Sequence, residues 1–480
     1  MLMTVETADI LIRNALLIDG SGEAAFRGDL AVKDDRICAI GALKDWYGNQ
    51  EIDASGKALA PGFIDVHTHD DRALLVDPLM ACKVSQGVTT VITGNCGVSL
   101  APIKLKGYPP PPLDILSPNC DDYFERFSDY LGALNNEPPA VNAACQVGHS
   151  SLRAEAMDSL DRQATASEIK AMRRRLEQAL DDGAIGMSTG LFYEPAREAT
   201  TAEVIELAKS LPKYGGIYTT HMRDESDHVV EALKESFHIG RAADVPVIIS
   251  HHKCAGQNNH GRSIETLALI DKAREQQPLG LDAYPYIAGS TMLDASRAKR
   301  AERILVAWST PHPECAGKDL FELAKSWGLS IEAAVDRLQP AGAVYFMMDE
   351  GDVQRILKYP HTMIGSDGLP HDTQPHPRLW GTFPRVLGRY ARELGLFSME
   401  EAVRKMTSLS AKQFNLQDRG LLAVGHFADL VLFDQNTVVD AATFEQPMLP
   451  SLGIEQVFVN GRCVYRDRTC TGARPGKILQ

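Results

Sequence analysis

No apolar run in this 480-residue chain reaches the roughly 18–20 residues that a membrane span requires, so no span is expected. The stretch Met1-Leu-Met-Thr-Val-Glu-Thr-Ala-Asp9 lacks the basic start and apolar centre of an export signal. Positive charge is also scarce: 49 Lys and Arg stand against 63 Asp and Glu, for a formal charge of -14. A general nucleic-acid surface needs a basic face, which excludes nucleic acid as the expected partner. A locally positive pocket for a small acidic substrate remains compatible with that balance. The nine cysteines show no repeated spacing. An odd number without an export signal predicts reduced thiols in a cytoplasmic protein, most of them small core residues. There is no internal repeat at solenoid periods and no low-complexity tract beyond Pro109 to Pro112. Nothing in the sequence fixes the oligomeric state.

What is present is enough apolar residue, 44%, and enough length for one large domain and a smaller one. The first sixty residues alternate apolar and polar, as in Ile10-Leu-Ile12, Leu16-Leu-Ile18, Leu30-Ala-Val32 and Ile37-Cys-Ala-Ile-Gly41. These read as short antiparallel strands. The same texture returns at Ala428 to Phe433, Gln456 to Gly461 and Cys463 to Tyr465. Neither end makes a good core alone, so residues 1–60 and 416–480 are expected to build one small β-sandwich domain together. Between them, apolar runs ending in Gly, Ser, His, Asn or Asp alternate with helical patterns: 62–69, 89–95, 143–150, 184–190, 216–222, 246–252, 279–286 and 361–367. Eight β/α units in series predict a distorted TIM (β/α)8 barrel over 61–415 within an α/β chain. The clearest helix is Glu168 to Leu180, with Ser167 as N-cap and Gly183 just past its end. The seventh connection is too long for a loop, and its 287–346 portion is expected to be a lid.

Catalytic groups of such barrels gather at the C-terminal strand ends. The first run delivers His67-Thr68-His69, two imidazoles that alternation along a strand turns to the same side. The second delivers Cys96, the fifth His221, the sixth His251 and the eighth Asp367. Imidazole nitrogens and a thiolate are donors that zinc prefers. Each residue alone reads more simply as a core or loop group; their arrival at one end of one barrel makes a metal site the better reading. His149 has no further ligand beside it and reads as structural, and His252 alternates away from His251 and is expected to point outward.

These residues carry a resemblance. The chain resembles the N-acyl-D-amino-acid deacylases (D-aminoacylases) of the amidohydrolase superfamily through Pro61-Gly-Phe-Ile-Asp-Val-His-Thr-His-Asp70, Gln86 to Gly97, Thr220-His-Met-Arg-Asp-Glu225, Val247 to Lys253, Asp282-Ala-Tyr-Pro-Tyr286 and Ile364 to His371. Gly94-Asn-Cys-Gly97 marks the subgroup, because Cys96 stands where many relatives use a carboxylated lysine or a glutamate. The resemblance implies zinc-dependent hydrolysis of N-acyl-D-amino acids, with a small molecule as the partner. It implies that Cys96, His221 and His251 hold a tight Zn2+ and that His67 and His69 form a weaker neighbouring position. Asp367 would take a proton from the attacking water and return it to the departing amine. Arg378, Lys253, Tyr193 and Tyr284 would surround the amino-acid portion.

Side-chain preference rests on Arg297, Lys299 and Arg300 at the start of the lid, a basic cluster in an acidic chain. Arg297 pointing into the pocket would favour N-acyl-D-glutamate. A broad-specificity D-aminoacylase for apolar residues is the alternative, with a hydantoinase-like cyclic-amide hydrolase behind it.

Overall fold

A helix–strand alternation with apolar strand runs can cover both faces of a parallel sheet, and the chain does so. The computed structural model describes residues 6–480; residues 1–5, on which part of the reading of the N-terminal stretch rests, lie outside the described residues. The strands are β1 (Phe63–Asp65), β2 (Val88–Thr93), β3 (Asn142–Cys145 and Val147–Gly148, either side of Gln146) and β4 (Gly186–Gly190). They continue with β5 (Ile217–His221), β6 (Val247–Ile249), β7 (Leu279–Ala283) and β8 (Thr362–Ile364). Each pairs in parallel with the next in chain order. Just beyond β1 and β8, Thr68 and Gly368 pair in parallel as well. One apolar cluster joins alternate strand residues, Ile64, Ile92, Ala144, Ile217, Ile248 and Met363, to Leu409 and Ala411 of the helix Ser408–Gln413. A larger cluster lies between the strands and their helices.

Several elements differ from the sequence reading. The third run is not one strand over 143–150. The Gln146 side chain turns aside to donate to Asn95 Oδ1 (3.1 Å) and to accept from Thr219 (3.0 Å), and His149 already begins the helix His149–Ala156. The long helix spans Ala166–Asp182 and its N-cap is Thr165, not Ser167. Thr165 and Glu168 satisfy each other's backbone N–H groups as a capping box, which Ser167 is placed too late to do. Gly183 closes the helix at φ 113°, a conformation open to glycine.

The two chain ends share a nine-stranded mixed sheet. Eight of the strands run in the order Thr469–Cys470, Arg462–Arg466, Ile454–Val459, Leu430–Phe433, Ala58–Pro61, Glu6–Leu17, Phe26–Lys33, Arg36–Gly41, and the ninth, Trp46–Asp53, pairs with Glu6–Leu17 off this path. The N-terminal strands are not all antiparallel: Trp46–Asp53 and Ala58–Pro61 both run parallel to Glu6–Leu17. The runs at 10–12 and 16–18 belong to one strand, interrupted by an irregularity where Asn14 takes φ 60°. The 287–346 segment is no bare loop. Ala288–Met292, Ala341–Phe346 and Arg303–Ser309 form a three-stranded antiparallel sheet with its own core of Ile304, Val306, Leu320, Val335 and Tyr345. Among the described residues no helix is long and apolar enough to cross a membrane.

Candidate metal centre

His67, His69, Cys96, His221, His251 and Asp367 are buried and converge at or just past the ends of β1, β2, β5, β6 and β8. Potential ligand atoms of His67, His69, Cys96 and Asp367 lie within 4.8 Å of one another, as do those of Cys96, His221 and His251. Cys96 belongs to both groups. Its Sγ is 3.2 Å from His67 Nε2 and 3.3 Å from His251 Nε2. Asp367 Oδ1 is 3.3 Å from His69 Nε2 and 3.5 Å from His67 Nε2.

Strand alternation accounts for only part of this convergence. His221 ends β5 two residues after Thr219, whose hydroxyl faces Gln146 among the inward groups. His67 and His69 lie beyond the end of β1 at Asp65. Cys96, His251 and Asp367 each follow their strands in left-handed backbone, at φ 53°, 35° and 50°. Each such non-glycine residue costs about 1–3 kcal/mol, which surrounding contacts must offset. The turn at His251 re-aims its ring toward Cys96, while His252 bonds Thr266 Oγ1 at 2.9 Å on the helix Ser263–Arg274, away from the cluster. His149 pairs with Glu203 at 2.9 Å, and Arg153 bonds the same carboxylate.

Two carboxylates, Asp282 and Glu225, stand behind the imidazoles. Asp282 Oδ1 accepts the His251 backbone N–H (2.9 Å) and lies 3.4 Å from His67 Nδ1. Glu225 Oε1 lies 2.9 Å from His251 Nδ1 and accepts from Lys253 Nζ at 2.7 Å. Glu225 Oε2 is 3.6 Å from His221 Nε2. Neither acid was singled out as a site residue from sequence. The available signals were modest: Glu225 lies four residues after His221, and Asp282 is the penultimate residue of an apolar strand.

The electrostatics of the protein alone test whether a cation fits. Burial pushes the Cys96 thiol up, but the His67 and His251 imidazoles outweigh it and hold the thiol well below its ordinary pKa. Burial likewise pushes the Asp367 carboxyl up, and Arg378 with the neighbouring imidazoles holds it well below the carboxylate range. Burial opposes charge on His69, yet hydrogen bonding to Asp367 and Cys96 raises it to about 9. The same opposition at His67 is overcome by Cys96 and Asp282. Cys96 and Asp367, both held toward their anionic forms, thus face imidazoles, a balance that a metal cation would serve. His221 Nδ1 and Nε2 are buried without a hydrogen-bond partner among the described residues. A thiolate and two imidazoles with an open fourth position suit catalytic zinc.

The adjoining cavity is lined by Tyr193, Lys253, Tyr284, Arg297 and Arg378 alongside His69, His221, His251 and Asp367. Arg378 is buried, lies over the Tyr284 ring at 4.6 Å and pairs with Asp367 Oδ2 at 2.9 Å. Its Nε has no hydrogen-bond partner among the described residues. Tyr193 packs its ring 4.8 Å from that of His221. The basic cluster of the lid divides. Arg297 lines the cavity and stacks 4.1 Å from the Phe192 ring centroid. Lys299 pairs outward with Glu332, and Arg300 lies near Asp227 and bonds Ser226, so these two do not share its role.

Residues 50–465 match the amidohydrolase family. Three curated relatives from Alcaligenes xylosoxydans xylosoxydans align along nearly the whole chain. A D-aminoacylase is 57% identical, covering 98% of this chain and 97% of its own length. An N-acyl-D-aspartate deacylase is 52% identical, covering 98% and 95%. An N-acyl-D-glutamate deacylase is 46% identical, covering 99% and 97%. Among solved structures, an N-acyl-D-glutamate deacylase from Bordetella bronchiseptica, complexed with zinc and a phosphonate mimic of the tetrahedral intermediate, superposes with a TM-score of 0.96. It is 46% identical over 99% of this chain and 100% of its own.

Proposed function

The chain belongs to the amidohydrolase family, and from this we infer that Cys96, His221 and His251 hold one tight zinc ion and that His67 and His69 offer a weaker neighbouring position. The protein is a zinc-dependent enzyme that hydrolyses the linear amide of an N-acyl-D-amino acid to a carboxylate and a free D-amino acid. The eight parallel strands are read as a distorted (β/α)8 barrel over 61–415, with the lid at 287–346. The terminal sheet, 1–60 with 416–480, is read as a small β-sandwich, and the protein as cytoplasmic.

A bound zinc ion supplies Lewis acidity, which acidifies water and draws charge from the acyl oxygen. The remaining work falls to side chains. Asp367 is held ionised by Arg378, so it can take a proton from the attacking water at Oδ1, the oxygen that Arg378 does not hold, and deliver it to the departing amine. The unpartnered Arg378 Nε, buried beside Tyr284, calls for an anion, and the substrate α-carboxylate answers it. Lys253 contributes positive charge moderated by Glu225. Tyr193 closes the wall over His221, and Asp282 and Glu225 hold the imidazoles in place.

The observation that carries side-chain preference is Arg297 in the cavity wall. It favours an acidic D-residue, with N-acyl-D-glutamate as the proposed substrate. The apolar wall residues Ile115, Met347, Met348 and Leu369 favour a second reading, a broad-specificity D-aminoacylase. Amine release from paired N-acetyl-D- and L-glutamate, aspartate, leucine and methionine separates them. Turnover of D forms alone with glutamate ahead of leucine is expected; a lead for D-leucine selects the broad reading.

A further inference from the structure

Behind the metal centre, a lysine that the mechanism does not use joins the first strand to the eighth. Lys83 sits on the short helix Ala81–Val84, and its side chain is 0% exposed. Its Nζ donates to Asp65 Oδ2 (2.8 Å) and Ser366 Oγ (3.0 Å) and lies 3.1 Å from Asp70 Oδ2. Asp65 is the last residue of β1; Ser366 follows β8 and immediately precedes Asp367.

The same carboxylate reaches across directly. Asp65 Oδ1 accepts the backbone N–H of Ser366 (2.7 Å) and of His67 (3.4 Å). Ser366 Oγ accepts the Gly368 N–H at 3.3 Å, and the Asp367 N–H donates to the His67 carbonyl at 2.8 Å. Every residue from 366 to 368 is therefore tied to this network or to β1's extension. The residue at its centre, Asp367, has φ 50°. Left-handed backbone relaxes unless its flanks are over-determined.

We propose that Lys83 is the positioning residue for Asp367, holding its turn against the extension of β1 through Asp65 and Ser366. An apolar side chain of similar length could fill the same volume without the desolvation cost of a buried ammonium. It could not donate to Asp65 and Ser366 together, so the charge earns its place through direction rather than packing. Lys83 touches neither the cavity nor a ligand atom, and its effect on turnover runs through the placement of the Asp367 carboxylate. The proposal rests on the assignment of Asp367 as proton carrier.

The test compares Lys83→Met, Ser366→Ala, Asp367→Asn and Lys83→Met/Asp367→Asn as zinc-loaded full-length enzymes, by steady-state kinetics on the preferred N-acetyl-D-amino acid and by zinc content. Lys83→Met is expected to lower kcat roughly ten- to a hundredfold, the worth of a charge-assisted hydrogen bond, with KM within about twofold and zinc content unchanged. Ser366→Ala, which removes only a hydroxyl, lowers kcat in the same pattern by a smaller factor. The double variant is no slower than Asp367→Asn, because the lysine has nothing left to position. Wild-type kcat in Lys83→Met, loss of zinc from it, or a change confined to KM overturns the proposal. If Lys83→Met fails to fold, Ser366→Ala decides, and an unchanged kcat there overturns it. Both variants active beside an inactive Asp367→Asn overturns the positioning role alone; an active Asp367→Asn overturns the assignment beneath it.

Discussion

Asp367 lies between an arginine and two imidazoles, and that setting decides what it can do. With Oδ2 held by Arg378 and Oδ1 facing His69 and His67, it stays ionised at neutral pH and ready to accept a proton. Asp367→Asn keeps the shape and removes the basicity. Turnover is expected to fall by about 10²–10⁴-fold or more on the proposal that one group serves twice, while zinc remains bound. Near wild-type kcat would remove Asp367 from the mechanism. Cys96 differs from its fellow cysteines in the same way, by environment. Burial pushes the Cys145 and Cys254 thiols up to about 12, while Cys96 is held down by imidazoles. Arg297, in the cavity wall, carries the proposed preference for an acidic side chain. Arg297→Ala should cost the D-glutamate substrate about ten- to a hundredfold in kcat/KM, the worth of a charge-assisted bond, and the D-leucine substrate much less. Equal losses would mean that Arg297 only shapes the lid.

At the scale of elements, the parallel strands were legible as apolar runs, but their ends were not: the strands stop at Asp65, Thr93, Ile249 and Ile364, short of His67, Cys96, His251 and Asp367. His221 follows directly from alternation along β5. His251, Cys96 and Asp367 do not, because left-handed turns re-aim them and single-residue φ values leave no periodic trace. Gln146 hid the break in β3, since a buried glutamine looks like any polar interruption until Asn95 and Thr219 are found beside it. Lys83 was invisible for the same reason: its partners Asp65 and Ser366 are 18 and 283 residues away. The β8 turn also depends on a close approach. A Cβ on Gly365 would stand 2.5 Å from His67 Cβ and 2.9 Å from Asp282 Oδ1. Gly365→Ala should therefore destabilise the fold by about 1–3 kcal/mol, the usual range for overpacking, and depress turnover by displacing His67. Chemical denaturation beside kinetics checks this; unchanged values on both would show that the turn has slack.

Across the whole molecule, the two chain ends support the catalytic region without lining it. Asn142 of β3 bonds Asp429 (3.1 Å) and accepts from Asn460 (2.7 Å), and Arg419 bonds Asp429, so the terminal sheet is fastened to the parallel strands. Ile478–Leu479 adds a short parallel strand to β3. That the ends meet was legible from their shared texture; the parallel insertion of Trp46–Asp53 was not, because pairing direction is set by distant partners. The fold thus brings Cys96, His221 and His251 together at the strand ends, beside Asp367 and Arg378, and the proposal makes them a zinc site with a base and an anion-binding arginine. The most direct test is zinc content after exhaustive dialysis, measured with turnover of an N-acetyl-D-amino acid in wild type and Cys96→Ala. One zinc per chain with activity in the wild type, and neither in Cys96→Ala, is the expected result. Full zinc occupancy in Cys96→Ala would contradict the account.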